Sequence, residues 1–392
     1  MFILQRKGNN DGLRSKSLNW DMRKSNFELL RIFAMVFIVG HHLALHGVQH
    51  VLCNSEAIQI YSNGNLINKI CVAFLKMGGQ IGVALFFMLS GYFNIQSKNS
   101  INTIKKIVSQ CVFYGWFSLV LFLVAKCIGA GYSLDNLVAG KYLLKVLFIP
   151  STSGAWWFIT AYLFLILISP ILNQYILKFT KKLYLCVLFI FWVFGYIFAS
   201  MLTAEYYNIE KAIFFYIIGA YLRLFGNDNK KWCKYRIGLI IIFFGIATAV
   251  FYQIDSDVIK VNQYFLSALG DRILYYFYVA IIVPLVSVLI FKKFESIEIG
   301  SVKYINMISR TALGVYLIHD SLIGRNIIWH EILKIDTILY QSKMFPIYVI
   351  FVVLGVLIIC SMIDFIRIIL FERIIIKKTD EFINKLKQLC DL

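Results

Sequence analysis

Apolar residues in this chain come in long runs, separated by short polar and basic stretches. The runs fall at 27–46, 72–93, 107–128, 156–174, 183–203, 210–226, 237–254, 272–291, 304–324 and 346–371. Most approach the roughly 20 residues that cross bilayer hydrocarbon as a helix. The pattern predicts an all-α polytopic membrane protein with about ten transmembrane helices. Residues 1–25 read as a basic arm and 26–371 as the membrane domain. Over 372–392, Lys and Glu mix with apolar residues at helical spacing, as in an amphipathic tail lying at the membrane surface. The stretch 129–155 has room for a short interfacial or re-entrant piece. Pro170 is expected to end or kink the fourth span.

Composition supports this reading. The chain is 60% hydrophobic and 15% charged, with a mean hydropathy of +0.74, unlike a soluble protein of 392 residues. A net charge of +18 suits a nucleic-acid partner in principle, but the placement of Lys and Arg argues against one. They gather up to Arg31, over 94–106, 175–182, 222–236 and 292–310, and from Arg367 onward. Those are alternate sides of successive spans. Positive-inside bias therefore accounts for the charge, and it predicts both termini in the cytoplasm of a multi-pass plasma-membrane protein. The first 25 residues lack the apolar core of a cleavable signal peptide, so the first span is expected to direct insertion. The eight cysteines show no CxxC or other metal-ligand spacing, and neither a metal nor a bound cofactor is expected.

The candidate chemistry begins in the first span, FELLRIFAMVFIVGHHLALHG from Phe27. A helix turns about 100° and rises 1.5 Å per residue, so Arg31 and His42 fall within about 20° of one face and roughly 16 Å apart. Glu28 and His46 fall within about 60° of Arg31, and His41 about 80° to the other side. A lipid-crossing helix thus carries one ionisable stripe, and such groups mark function by default. An imidazole can take a proton from a hydroxyl near neutral pH. A guanidinium can hold phosphate through paired hydrogen bonds. At that separation the two would hold different parts of one long substrate, such as the phosphates and the reactive end of an acyl-CoA. The plainer alternative makes Arg31 a positive-inside anchor and His42 an interhelical contact.

Further along, Ser90 lacks a nucleophile elbow; Gly82 and Ala84 read as a close helix crossing, with Ser90-Gly91 a small-residue exit from the second span. Trp156 and Trp157 suit an interfacial belt or the stacking of a sugar. Arg223 ends the sixth span as an anchor or a phosphate ligand. His319 and Asp320 lie at a depth similar to His42 and His46, with Tyr316 one turn before, so a joint site of His42 with His319 is in view.

Together these segments resemble the acyltransferase 3 family of integral-membrane O-acyltransferases, in particular its bacterial surface-polysaccharide O-acetyltransferases. The resemblance runs from about Asn26 to Phe371. It is carried by Arg31, Ala34 and His42, by Phe86, Phe87, Leu89, Ser90, Gly91 and Tyr92, by Trp157-Phe158, and by Tyr316 to His319. It implies an acyl-CoA donor, usually acetyl-CoA, a glycan hydroxyl as acceptor, and essential roles for Arg31 and His42. Where many members carry Arg-x-x-Arg after the second span, this chain has Lys105 and Lys106, which lack the guanidinium fork.

The sequence is therefore read as a membrane O-acetyltransferase acting on a cell-surface or exported polysaccharide or its lipid-linked precursor. Catalytic roles fall to His42, Arg31, Glu28 and His319. Donor contacts fall to Arg31, Arg223, Lys105 and Lys106. Acceptor contacts fall to Trp156, Trp157, Tyr316, Asp320 and His46. The expected partners are acetyl-CoA, the glycan and the lipid bilayer. The rival readings are a transporter or flippase for a lipid-linked sugar, and a scaffold that only binds a lipid-linked glycan.

Overall fold

The computed structural model describes residues 24–49, 61–96, 101–127, 156–198, 208–226, 234–261 and 269–372, with Ile374, Lys377, Lys378 and Glu381. The basic arm up to residue 23, the 129–155 segment and most of the 372–392 tail lie outside these residues. Every regular element among the described residues is helical. In chain order they are α1 (Ser25–His42), α2 (Leu66–Asn94), α3 (Ile101–Cys127), α4 (Trp157–Ile176), α5 (Lys181–Ile190), α6 (Asn208–Phe225), α7 (Arg236–Val261), α8 (Leu269–Phe277), α9 (Val283–Glu295), α10 (Lys303–Arg310), α11 (Ala312–His319), α12 (Leu322–Arg325) and α13 (Phe345–Leu370). π-helical turns extend α1 over Leu43–Val48 and α5 over Phe191–Phe198, join α8 to α9, and form Asn326–Ile332 and Ile335–Leu339 between α12 and α13.

Eight helical segments are long and apolar enough to cross a bilayer among the described residues. Two of the expected spans take other forms. α6 carries Glu210, Lys211 and Arg223, so its charge exceeds that of an ordinary lipid-facing span. The stretch 304–324 breaks into α10, α11 and the start of α12. The second break has a local cause. The Ser321 hydroxyl accepts from Gly324 N at 2.9 Å, which starts a new helix, and donates to the Ile318 carbonyl behind it at 3.0 Å.

α2 is the axis of the bundle. Its most apolar window is 61% buried, against 11% for the Lys181–Phe198 segment, which faces outward along most of its length. α2 packs chiefly on α1 and α6, and glycine makes both crossings close. A Cβ at Gly82 would come within 2.6 Å of Ala34 O on α1. A Cβ at Gly219 on α6 would overlap the Met88 backbone, and one at Gly91 would overlap that of Tyr216. We expect Gly219→Val to destabilise the bundle by on the order of 3 kcal/mol, since backbone cannot retreat as a side chain does. A lowered melting temperature in detergent checks this. Gly238→Ala, whose added Cβ meets nothing within 4 Å, is the control.

Pro170 does not end its helix, which runs on to Ile176. Proline removes the donor that would serve the carbonyl four residues back, Ile166 O. The Ser169 hydroxyl donates to that oxygen instead, at 2.9 Å.

α1 is pinned at both ends, which fixes the register of its ionisable stripe. At its start the Ser25 hydroxyl donates to Asn306 Oδ1 at 2.9 Å and accepts from Val302 N at 2.7 Å. At its end Gln49 Nε2 donates to Asp255 Oδ2 at 3.1 Å, and Asp255 also takes Lys76 Nζ at 2.5 Å and the Tyr61 hydroxyl at 3.1 Å.

Candidate active site

The stripe on α1 faces a cavity of about 1110 Å³. Glu28, Arg31, His41, His42 and His46 all line it. So do residues from Lys24 to His46, an axial length of roughly 33 Å at helical rise, comparable to bilayer hydrocarbon. The cavity therefore follows α1 from end to end.

At the Lys24 end the lining includes Lys24, Arg31, Lys106 and Arg310. Arg31 Nη1 donates to Glu28 Oε1 at 2.6 Å, and the Ser309 hydroxyl donates to the other oxygen of the same carboxylate. Glu28 is buried, whereas the Arg31 side chain keeps 26% exposure. A buried carboxylate, itself held from α10, thus fixes one edge of the guanidinium. Arg310 reaches Glu372 at 2.7 Å. Four cationic side chains at one mouth form an anion-attracting surface, which suits the phosphates of a nucleotide-bearing donor.

At the other end the histidines converge. His46 follows His42 by about one turn, through a π-helical stretch, so the two share one side of the helix, with ring centroids 5.3 Å apart. His42 Nδ1 lies 2.8 Å from His319 Nε2 on α11. His319 Nδ1 donates to the Val315 carbonyl at 2.5 Å, an oxygen that can only accept. A neutral His319 therefore carries its proton on Nδ1 and accepts at Nε2. The donor in the His42–His319 contact is then His42 Nδ1–H, which leaves His42 Nε2 as a lone pair. A backbone carbonyl thus sets two tautomers in series, as second-shell groups do for metal-bound histidines.

Behind the imidazoles sits Asp320, 1% exposed. Its Oδ1 lies 3.5 Å from His42 Nδ1 and 3.6 Å from His46 Nε2. Donor atoms of these three residues lie within 4.8 Å of one another, a spacing a cation could use. However, Oδ1 already receives Arg325 Nε at 2.8 Å and Nη2 at 2.7 Å, so the carboxylate reads as half of an ion pair. The Tyr316 hydroxyl also bonds this carboxylate. The pair keeps a negative oxygen near His42 and His46, where it favours any imidazolium that forms.

The structure thus brings Glu28, Arg31, His42, His46, Lys106, Trp157 and Tyr316 to one cavity wall, with His319 and Asp320 directly behind. It leaves three other candidates off that wall. Arg223 stacks on the Tyr92 ring, 5.1 Å from its centroid. Lys105 precedes Lys106 on α3 but is turned from the lining, and Trp156 is buried in the core. The Ser90 hydroxyl lines the cavity and donates to Phe86 O at 3.0 Å. Lys24, Lys211, Arg310 and Arg325 are lining groups that sequence reasoning did not single out. Charge at a span's edge reads as topology, which hides any second role.

A helical membrane protein with a bilayer-length cavity, cations at one mouth and paired imidazoles toward the other has the form of a group-transfer site built inside the membrane. A family model described as an acyltransferase domain, Acyl_transf_3, matches residues 24–364, and the chain belongs to the acyltransferase 3 family. No curated protein and no solved structure matches the chain. Family membership supports a membrane acyltransferase and does not favour the transporter reading.

Proposed function

We propose that this protein is a ten-span plasma-membrane O-acetyltransferase with cytoplasmic termini. It moves the acetyl group of acetyl-CoA to a hydroxyl of a cell-surface or exported polysaccharide, or of its lipid-linked precursor. The observation that carries this reading is the single cavity lined by both Arg31 and His42. Their axial separation of about 16 Å is comparable to the reach of a pantetheine arm from nucleotide to thioester. Acetyl-CoA enters at the Lys24 end. Arg31, held by Glu28, takes a phosphate together with Lys106, Lys24 and Arg310.

The thioester then lies near His42. His42 Nε2 accepts the proton of the acceptor hydroxyl as its oxygen bonds the acetyl carbon. The C–S bond breaks, the CoA sulfur leaves with the electron pair, and the imidazolium returns its proton to give the free thiol. During this step Asp320 and the His42–His319 contact stabilise the transient positive charge. Trp157 and Tyr316 offer aromatic surface to the sugar at the same level.

Purified protein in detergent is expected to release CoA thiol from acetyl-CoA in a glycan-stimulated manner. Acetyl signals in NMR spectra of the surface polysaccharide are expected to vanish when the gene is deleted. Identical acetyl signals with and without the gene would refute the proposal.

A further inference from the structure

His41 stands beside His42 but outside the series that orients it. The two differ by one residue on α1, about 1.5 Å of rise and about 100° of turn. His41 Nδ1 donates to the Lys76 carbonyl on α2 at 2.7 Å. A carbonyl can only accept, so a neutral His41 carries its proton on Nδ1 and a lone pair on Nε2. No described residue hydrogen-bonds that second nitrogen. The side chain is half-buried and lines the cavity. Two adjacent residues thus bring to one cavity imidazoles whose tautomers are set by backbone carbonyls, each with Nε2 left to accept.

The seat of His41 is a built one. A Cβ at Gly79 would fall 2.4 Å from His41 Cγ and 2.7 Å from its Nδ1, so the ring occupies the space that glycine leaves on α2. The Lys76 carbonyl lies inside α2, where a helical N–H four residues on already serves it. The backbone therefore does not need the imidazole to satisfy it. The effect of the bond falls on the ring, which is held in one orientation.

A lone pair on nitrogen takes only an O–H or N–H donor. An acyl-CoA offers amide N–H groups in its arm, and a sugar offers hydroxyls. The amides lie back from the thioester toward the phosphates, that is, toward Arg31. His41 is within about 1.5 Å of the level of His42, where the acceptor reacts. The two ring centroids are 5.7 Å apart. Neighbouring hydroxyls on one sugar ring, each making a hydrogen bond of about 2.8 Å, bridge a gap of that order.

We propose that His41 is a positioning residue for the acceptor, and that its Nε2 accepts from the hydroxyl next to the one that is acetylated. The acceptor is then a sugar with two adjacent hydroxyls, and the pair of imidazoles selects which one reacts. This deepens the acetyl-transfer reading above and rests on it for the reaction at His42.

The test uses purified full-length protein in detergent, labelled acetyl-CoA, and the strain's own surface polysaccharide stripped of acetyl groups by mild alkali. Initial rates give KM for each substrate, and NMR of the product gives the ring position of the label. His41→Asn keeps a donor for the Lys76 carbonyl and loses the acceptor at Nε2; His41→Gln places an amide oxygen near Nε2. His41→Asn is expected to raise KM for the polysaccharide about three- to tenfold, as loss of one neutral hydrogen bond allows. It should leave KM for acetyl-CoA unchanged and spread the label onto a second ring position. His41→Gln should restore most of both properties. Gly79→Ala, which drives the ring off its seat, is expected to behave as His41→Asn does and is the second variant if His41→Asn does not fold.

A raised KM for acetyl-CoA with that for the polysaccharide unchanged places the imidazole on the donor arm and overturns the proposal. So do equal losses in the Asn and Gln variants, or wild-type kinetics and label position in His41→Asn. Each of these, with wild-type protein active, leaves the acetyl-transfer reading standing. No transfer by the wild-type protein overturns that reading, and the role of His41 falls with it.

Discussion

His42→Ala is expected to reduce acetyl transfer to background while the protein still inserts and folds. The argument rests on the hydrogen-bond series from Val315 O through His319 to His42. The series leaves His42 Nε2 as the basic nitrogen of a cavity-lining ring. Removing a positioned general base costs on the order of 10²–10⁴ in rate. The loss should appear in kcat, with the KM for acetyl-CoA little changed, because the imidazole acts where the thioester is broken rather than where phosphate is bound. His42→Gln, which keeps more of the side-chain volume, should be equally inactive.

His319→Ala probes the positioning role separately. Without its acceptor, the Nδ1 proton of His42 is no longer held, and either tautomer becomes available. A fall of about 10- to 100-fold in kcat is expected, smaller than that of His42→Ala. Wild-type acetyl content on the polysaccharide of a His42→Ala strain would remove His42 from the mechanism. An unchanged kcat in His319→Ala would remove the relay.

Arg31→Ala is expected to act on donor binding instead. Its guanidinium is positioned by a buried carboxylate that the Ser309 hydroxyl also engages, and it faces the cavity at the mouth shared with Lys24, Lys106 and Arg310. Hydrogen bonds between charged partners contribute about 1.5–3 kcal/mol, so the KM for acetyl-CoA should rise by about 10- to 100-fold. Arg31→Lys should recover only part of this, since lysine keeps the charge and loses the planar fork. Glu28→Gln should weaken donor binding without removing the cation, through poorer orientation of Arg31. Steady-state kinetics with varied acetyl-CoA reads all three. A fall in kcat at unchanged KM in Arg31→Ala would place Arg31 elsewhere in the reaction.

The first span shows how far the sequence alone carries. Arg31 and His42 share a face because α1 is a regular helix over both positions, and eleven residues return to nearly the same azimuth. The same arithmetic put His41 off the stripe, yet His41 also lines the cavity, which is wide enough to take in its side of α1. His46, which the same arithmetic put on the stripe, lines the cavity too, although the π turn over Leu43–Val48 that carries it is a backbone choice that no residue type in LALHGV dictates.

Periodicity, apolar run length and the placement of basic residues determined a helical membrane protein and the ionisable face of α1. Those features follow from local geometry and from the solvent the chain must enter. The tertiary structure decided the partners: His319 with its Val315 carbonyl behind His42, Arg325 on Asp320, Arg310 on Glu372, and Lys211 under Trp157. Arg325 with Asp320 and His319 with Val315 are local contacts, and the others join segments far apart in the sequence. They depend on glycine-set crossing distances and on each helix's rotation about its own axis, which side chains far apart in the sequence fix together.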